Sequence, residues 1–252
     1  MGRAAGRPPY SLLTTRYWLL PMTADWPDPP PTGSLVLCSG GLDSVVLLAW
    51  AAQRAMAQPV YVRAGLAWEA RELEALQQLG PALPGAIGPL AVLEFDARDL
   101  YGPSHWALRG TPPAYDTPDE DVYLPGRNIL LLSKAAVFAA QHGISRIVLG
   151  PLAGNPFPDA GPVFFRAMSE ALGLGLACPL SIEAPFAPLH KADVIRLGAS
   201  LGVPLGKTLS CMNPGEDVHC GLCSKCRERR DAFAEAGIED PTRYREPSPR
   251  AT

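Results

Sequence analysis

The sequence has no apolar run approaching the roughly 18–20 residues that a membrane-crossing helix needs, so no helical membrane span is expected. It also has no excess of one charge. Its 22 basic and 25 acidic residues leave a net charge of −3, which gives no footing for broad attachment to nucleic acid or membrane. Charged residues make up only 19% of the chain against 47% hydrophobic, a balance that excludes a disordered chain and suits a buried core. No internal repeat and no low-complexity linker interrupts it. A secretion signal is missing too: Arg3 and Arg7 are basic and Trp18-Leu19-Leu20 is apolar, but Arg16 breaks a run that is already too short. A cytoplasmic location is expected. Residues 1–21 add no recognisable element ahead of the proline-rich stretch from Pro27 to Thr32, so a poorly structured extension is expected over 1–33, with Met22 as an alternative start. Cysteine is unevenly spread. Beyond Cys38 and Cys178, the other four crowd the last quarter, unlike the even spacing of a disulfide framework.

What is abundant is punctuation: 28 prolines and 24 glycines fall between short apolar segments. Strand-like runs at 34–38, 59–62, 90–95, 146–150 and 177–182 alternate with helical patterns at 43–56, 69–78, 129–142, 162–172 and 191–201. Gly202 marks the end of the last helix. This alternation predicts βαβ units and a parallel sheet. Residues 96–121 are irregular and long enough for a lid or substrate loop. A length of 252 residues suits one α/β domain, expected over 34–205, with a small appendage over 206–252.

The most informative stretch is Ser34-Leu-Val-Leu-Cys-Ser39-Gly40-Gly41-Leu42-Asp43-Ser44. A buried strand empties into a small-residue turn that opens a helix. Gly40 and Gly41 let backbone N–H groups approach a ligand, Ser39 and Ser44 add hydroxyls, and the helix start adds partial positive charge. Together with Leu42 these residues form an anion cradle suited to phosphate. Asp43 falls in the first helical turn, where it can cap the helix or help hold Mg2+. By contrast, Leu205-Gly206-Lys207-Thr208 only imitates the end of a Walker A loop, because Leu201 stands where that motif needs glycine.

Cys211, Cys220, Cys223 and Cys226 supply four thiolates at close spacing, suited to one tetrahedral Zn2+, with an iron–sulfur cluster as the other occupant of such a set. His219 lies beside them as a neighbour or substitute ligand. Arg127 follows a Pro-Gly turn and opens a helix, a good place to meet phosphate or carboxylate. Lys191 also opens a helix, where a cation is poorly placed for the dipole, which hints at an anionic partner.

Ser39 to Ser44 resembles the signature of the PP-loop ATP pyrophosphatases, which cleave ATP to AMP and pyrophosphate while adenylating a substrate. The resemblance implies a Rossmann-like parallel sheet of the adenine-nucleotide hydrolase kind. Within that group, the segment from Ser210 through Cys226 to Arg229 is similar to the C-terminal zinc motif of the 7-cyano-7-deazaguanine synthases. Tyr123-Leu-Pro-Gly-Arg127-Asn128, Leu189-His-Lys191-Ala-Asp-Val-Ile-Arg-Leu-Gly198 and Arg230 to Pro241 resemble the same family. The likeness runs from about Leu35 to Tyr244, most of the chain.

The resemblance implies ATP with Mg2+ as cofactor, one structural Zn2+, and 7-carboxy-7-deazaguanine (or a related acid) and ammonia as substrates. It assigns ATP binding to Ser39–Ser44 and charge stabilisation to Arg127 and Lys191. Two blocks depart from the pattern. Where the family carries Asp-Tyr-Gly-Gln-x-His, this chain has Arg63-Ala64-Gly65-Leu66-Ala67-Trp68, and Pro-Asp-Cys-Arg-Pro-Glu-Phe becomes Pro158-Asp159-Ala160-Gly161-Pro162-Val163-Phe164. Trp68 and Phe157 offer faces for a planar base. Two alternatives therefore stand: a paralogous ligase acting on another carboxylate, and an RNA-docking protein using Lys225, Arg227, Arg229 and Arg230. A homodimer is a further possibility.

Overall fold

The computed structural model describes residues 32–249, so the expectations for the N-terminal extension and for Met22 lie outside the described residues. Five strands form one sheet: β1 (Ser34–Leu37), β2 (Ala57–Arg63), β3 (Ala91–Glu94), β4 (Arg146–Val148) and β5 (Ser181–Glu183). Their order is β3-β2-β1-β4-β5 and every pairing is parallel. Leu35 of β1 stands opposite Gln58 on one side and Ile147 on the other. Its Leu-Val-Leu run, from Leu35 to Leu37, is apolar without alternation because helices cover both faces of a central parallel strand.

On one face lie α1 (Leu42–Ala51), α2 (Glu69–Leu79), α7 (Lys191–Ser200) and α8 (Ser224–Ala236), sharing a core with the sheet. On the other lie α5 (Arg127–Gln141) and α6 (Pro162–Gly175), packed through Leu132, Ala135, Ala139 and Phe165. Eight of the ten residues of α1 are buried, so the helix that opens at the glycine turn is fixed from nearly all sides. Each of its larger aliphatic side chains contributes roughly 1.5–3 kcal/mol of burial. Gly198 of α7 packs where an added Cβ would meet Val46 of α1 at 2.7 Å.

Two local expectations are corrected, and one helix is additional to those expected. Residues 96–121 are not simply irregular: they hold two single-turn helices, α3 (Arg98–Tyr101) and α4 (Trp106–Arg109), and a 3-10 turn begins at Asp119. The last strand starts at Ser181 rather than Ala177, because α6 runs on to Gly175 and Ala177 turns the chain with φ of 50°. Helix α8 starts inside the cysteine motif, at Ser224, runs ten residues past Cys226, and was not expected from the sequence. Its buried stripe of Cys226, Arg229, Ala232 and Phe233 has helical spacing but includes a cysteine and an arginine, so apolar periodicity does not reveal it.

A third core holds Leu66, Trp68, Ala107, Val122 and Leu124 together with all four cysteines of the C-terminal cluster. The 95–124 segment is thus packed against the cysteine cluster, with Ala114 bridging antiparallel to Cys223.

Candidate functional site

The strand order reverses between β1 and β4, and in open α/β sheets ligands bind in the crevice beyond the carboxyl ends of such a pair. Two adjoining cavities of about 280 and 340 Å3 open there. Both are lined by Ser39, Gly41 and Asp43 after β1, by Gly150 and Pro151 after β4, and by Arg127 and Phe157. The second extends to Trp68, Glu72, Trp106, Lys191, Lys225 and Glu228.

The turn after β1 is a tight loop. Gly40 has φ of +77°, and a Cβ there would sit 2.8 Å from the Glu72 carbonyl oxygen. The Leu209 N–H donates to the Gly40 carbonyl at 2.8 Å. Ser44 Oγ accepts from the Ser39 N–H at 3.1 Å and donates to the Gly41 carbonyl at 3.0 Å, while Ser39 Oγ accepts from the Gly41 N–H at 3.3 Å. Gly41 is the N-cap of α1, and no side chain caps it, which corrects the capping role considered for Asp43. The leading N–H groups of α1 are therefore available to an anion.

Asp43 instead faces Lys191. Its Oδ2 lies 3.2 Å from Lys191 Nζ, and its Oδ1 is buried without a hydrogen-bond partner. Burial pushes the Asp43 carboxyl above its usual range, and Lys191 opposes the shift. The anion partners foreshadowed for Lys191 are thus protein carboxylates: the ammonium is wedged between Asp43 and Glu228 and is only 12% exposed, so a solvated lysine is excluded. Burial alone disfavours that charge, but Asp43 and Glu228 together raise the Lys191 pKa. Glu228 also accepts from Lys225 at 2.7 Å, and Lys225 lies 3.6 Å from Asp119. The two lysines outweigh burial and hold Glu228 down at about 2.

Arg127 is the first residue of α5, after Gly126 at φ of +75°. Its Nε is buried without a partner. Across the cleft, the Tyr61 hydroxyl donates to Glu72 Oε2 at 2.7 Å. Burial raises Glu72 to about 7, against the lowering pull of Arg127 and the Tyr61 hydrogen bond. Sequence reasoning singled out neither Glu72 nor Glu228. For Glu72 the available signal was an acidic residue within the stripe Trp68, Glu72, Leu76, Leu79, where helical spacing calls for apolar ones.

Of the positions that depart from the family pattern, only Trp68 lines a cavity; Leu66, Gly161 and Val163 do not. Trp68 stacks on Trp106 with ring centroids 5.8 Å apart, and Phe157 on Tyr123 at 5.0 Å. Three of the four basic residues considered for RNA, Lys225, Arg229 and Arg230, are engaged within the protein. Arg229 is fully buried, with Thr208, Ser210, Thr242 and the Leu205 carbonyl accepting from it, while Arg230 donates to the Gly221 and Glu246 carbonyls.

The sulfurs of Cys211, Cys220, Cys223 and Cys226 all lie within 4.8 Å of one another and all four residues are buried. Cys223 to Cys226 is 3.5 Å and Cys220 to Cys226 is 3.9 Å. A tetrahedron with metal–sulfur bonds of about 2.3 Å has edges of roughly 3.8 Å, so the set fits zinc. Backbone N–H groups of Asn213 and Cys220 point at Cys211 Sγ, at 3.3 and 3.2 Å, as suits a thiolate. His219 is not a ligand in this arrangement: its Nε2 accepts from the Ser210 N–H at 3.0 Å.

A parallel sheet with a Ser-Gly-Gly-Leu-Asp-Ser loop at its switch point defines a PP-loop ATP pyrophosphatase fold, with a tail whose four clustered cysteines can hold a metal ion. Residues 33–237 match the family described as queuosine biosynthesis protein QueC, and the chain belongs to that family. It is 35% identical to the 7-cyano-7-deazaguanine synthase of Methanothrix thermoacetophila, over 84% of this chain and 98% of that one. Its identity to the synthase of the same name from Porphyromonas gingivalis is also 35%, over 84% of this chain and 96% of the relative. Among the described residues no helix is long and apolar enough to cross a membrane.

Proposed function

We propose that this chain converts 7-carboxy-7-deazaguanine and ammonia to 7-cyano-7-deazaguanine, using ATP and releasing AMP and pyrophosphate. The observation that carries this reading is the Ser39–Ser44 loop at the sheet's switch point, opening onto a cavity walled by Arg127, Lys191 and Trp68. The names of the relatives supply the substrate.

The chemical obstacle is a poor leaving group. A carboxylate oxygen cannot depart, whereas AMP can. The N–H groups of the loop and of the α1 start bind the polyphosphate of ATP and orient its α-phosphorus toward the acid. Arg127, which lines both cavities and whose buried Nε has no partner, and Lys191 offset the charge that develops as pyrophosphate leaves. Asp43, with one unpartnered oxygen, is the residue to hold Mg2+, which when bound supplies further neutralisation of the phosphates. Ammonia then displaces AMP to give the amide, and a second adenylation lets AMP leave again to give the nitrile. One zinc on the four cysteines is structural, because the protein fills every position of a tetrahedral centre.

A paralogous ligase for another acid is the second reading, favoured by Trp68 alone. Purified protein is given ATP, Mg2+, ammonium and 7-carboxy-7-deazaguanine, with mass spectrometry of the product. A nitrile is expected. Intact ATP binding with no product from this acid would transfer the assignment to the paralogue, and turnover that requires RNA would transfer it to a tRNA-modifying protein.

A further inference from the structure

Four carboxylates line the two cavities: Asp43, Glu72, Asp119 and Glu228. Three of them are committed to lysines, with Asp43 at 3.2 Å and Glu228 in contact with Lys191, and Asp119 at 3.6 Å from Lys225. Glu72 alone makes no ion pair among the described residues. It is 8% exposed, and its hydrogen-bond partner is the neutral Tyr61 hydroxyl at 2.7 Å. None of the chain's four histidines lines either cavity, so the usual proton carrier of neutral pH is absent from the cleft wall.

The proposed reaction must dispose of protons at nitrogen, and among the described residues Glu72 is the one carboxylate of the wall that no lysine holds. Building on that reading, we propose that Glu72 is the proton acceptor of its two nitrogen-centred steps. In the first, the ammonia lone pair forms the C–N bond, and an N–H proton passes to the Glu72 carboxylate. The C–O bond to AMP breaks with its electron pair on the phosphate oxygen. In the second, the amide oxygen displaces pyrophosphate from ATP, and the protonated imidoyl adenylate gives one N–H proton to water. The N–H bond that remains then gives its proton to Glu72 and its electrons to the third C–N bond. AMP again leaves with the C–O pair, and water takes the proton from Glu72 after each step.

The surroundings suit that task. Burial lifts Glu72 to about 7, while Arg127 of α5 and the Tyr61 hydroxyl of β2 pull it down. Glu69 on the same helix pushes it up, the Trp68 indole pulls it down, and the Cys38 thiol after β1 is a further neighbour. A base whose pKa lies near the working pH is the most effective kind. Glu72 also sits against the loop itself, since its carbonyl oxygen is the atom a Cβ on Gly40 would strike.

Full-length Glu72→Gln and Tyr61→Phe variants test this, with two readouts. Acid-dependent ATP–pyrophosphate exchange reports adenylation alone, and product mass reports the nitrogen steps. Glu72→Gln is expected to keep exchange within about 3-fold of wild type and to lose roughly 100-fold or more in amide and nitrile formation. The acid limb of its pH profile, set near 7 in the wild type, should disappear. Tyr61→Phe removes a hydrogen bond that favours the charged form, so the limb should move to higher pH. Nitrile formation by Glu72→Gln at near wild-type rate, or parallel loss of exchange and product, would overturn the proposal. If Glu72→Gln does not fold, Tyr61→Phe decides: a raised limb supports the assignment and an unmoved limb refutes it. Wild-type nitrile formation, run alongside, reports separately on the functional reading.

Discussion

Glu72 and Glu228 lie in one cavity wall, yet their surroundings drive them in opposite directions. Two lysines hold Glu228 down at about 2, so its ionised form adds stability above the usual carboxylate range and loses it as pH falls. Glu72 is raised from 4.5 to about 7, so the folded protein keeps a proton that the unfolded chain releases near 4.5. Stability is therefore lost as pH climbs through that window and stays lost above it. Glu72→Gln removes the penalty. It should stabilise the protein by about 1–3 kcal/mol at pH 8, with the gain shrinking toward zero near pH 5. Thermal melts at both pH values check this; an equal shift at both would contradict it. Residues of this kind were only half legible. The misplaced cation at the start of α7 pointed to an anion partner, but Asp43 and Glu228 come from distant parts of the chain. Nothing in their local spacing announces the meeting.

Among the elements, the Ser39–Ser44 turn was the most legible, because the side-chain hydrogen bonds that shape it lie within a few residues. Gly40 combines a left-handed φ of +77° with a backbone oxygen of α2 at 2.8 Å from any added Cβ. Gly40→Ala should cost roughly 1–3 kcal/mol in folding and weaken ATP binding at least 10-fold, as checked by denaturant melts and calorimetric titration. Unchanged ATP affinity would show that the loop does not carry the phosphates. The strands near the sheet centre were also legible, since central parallel strands are plainly apolar. Helix α8 was not. Its buried face is set by Cys226 and by the Arg229 guanidinium, which inserts among Thr208, Ser210 and Thr242. Polar residues that satisfy one another in this way leave no periodic apolar trace.

At the scale of the whole molecule, the cysteine centre and the cleft share one wall. Cys211, Cys220, Cys223 and Cys226 belong to the same buried cluster as Trp68, and Trp106 packs against it. The four-cysteine cluster thus backs the wall of the second cavity, and a zinc ion held there would brace it. Stripping zinc with a chelator should lower the melting temperature by about 5–15 °C and change the emission of those stacked tryptophans before any global unfolding. A metal-free protein with the same melting temperature and emission would remove the bracing role. The α/β order, the loop and the four cysteines were legible because each is a local pattern. The shared wall was not, since it joins the 95–124 segment to a tail about a hundred residues later in sequence. The most direct test of the account counts nucleotide against product, with AMP, pyrophosphate and ADP measured as 7-carboxy-7-deazaguanine is consumed in the presence of ammonium. Two adenylations by one PP-loop cleft predict two AMP and two pyrophosphate for every nitrile, with the amide rising and then falling. Release of ADP, or an AMP count that stops at one with amide as the final product, would contradict it.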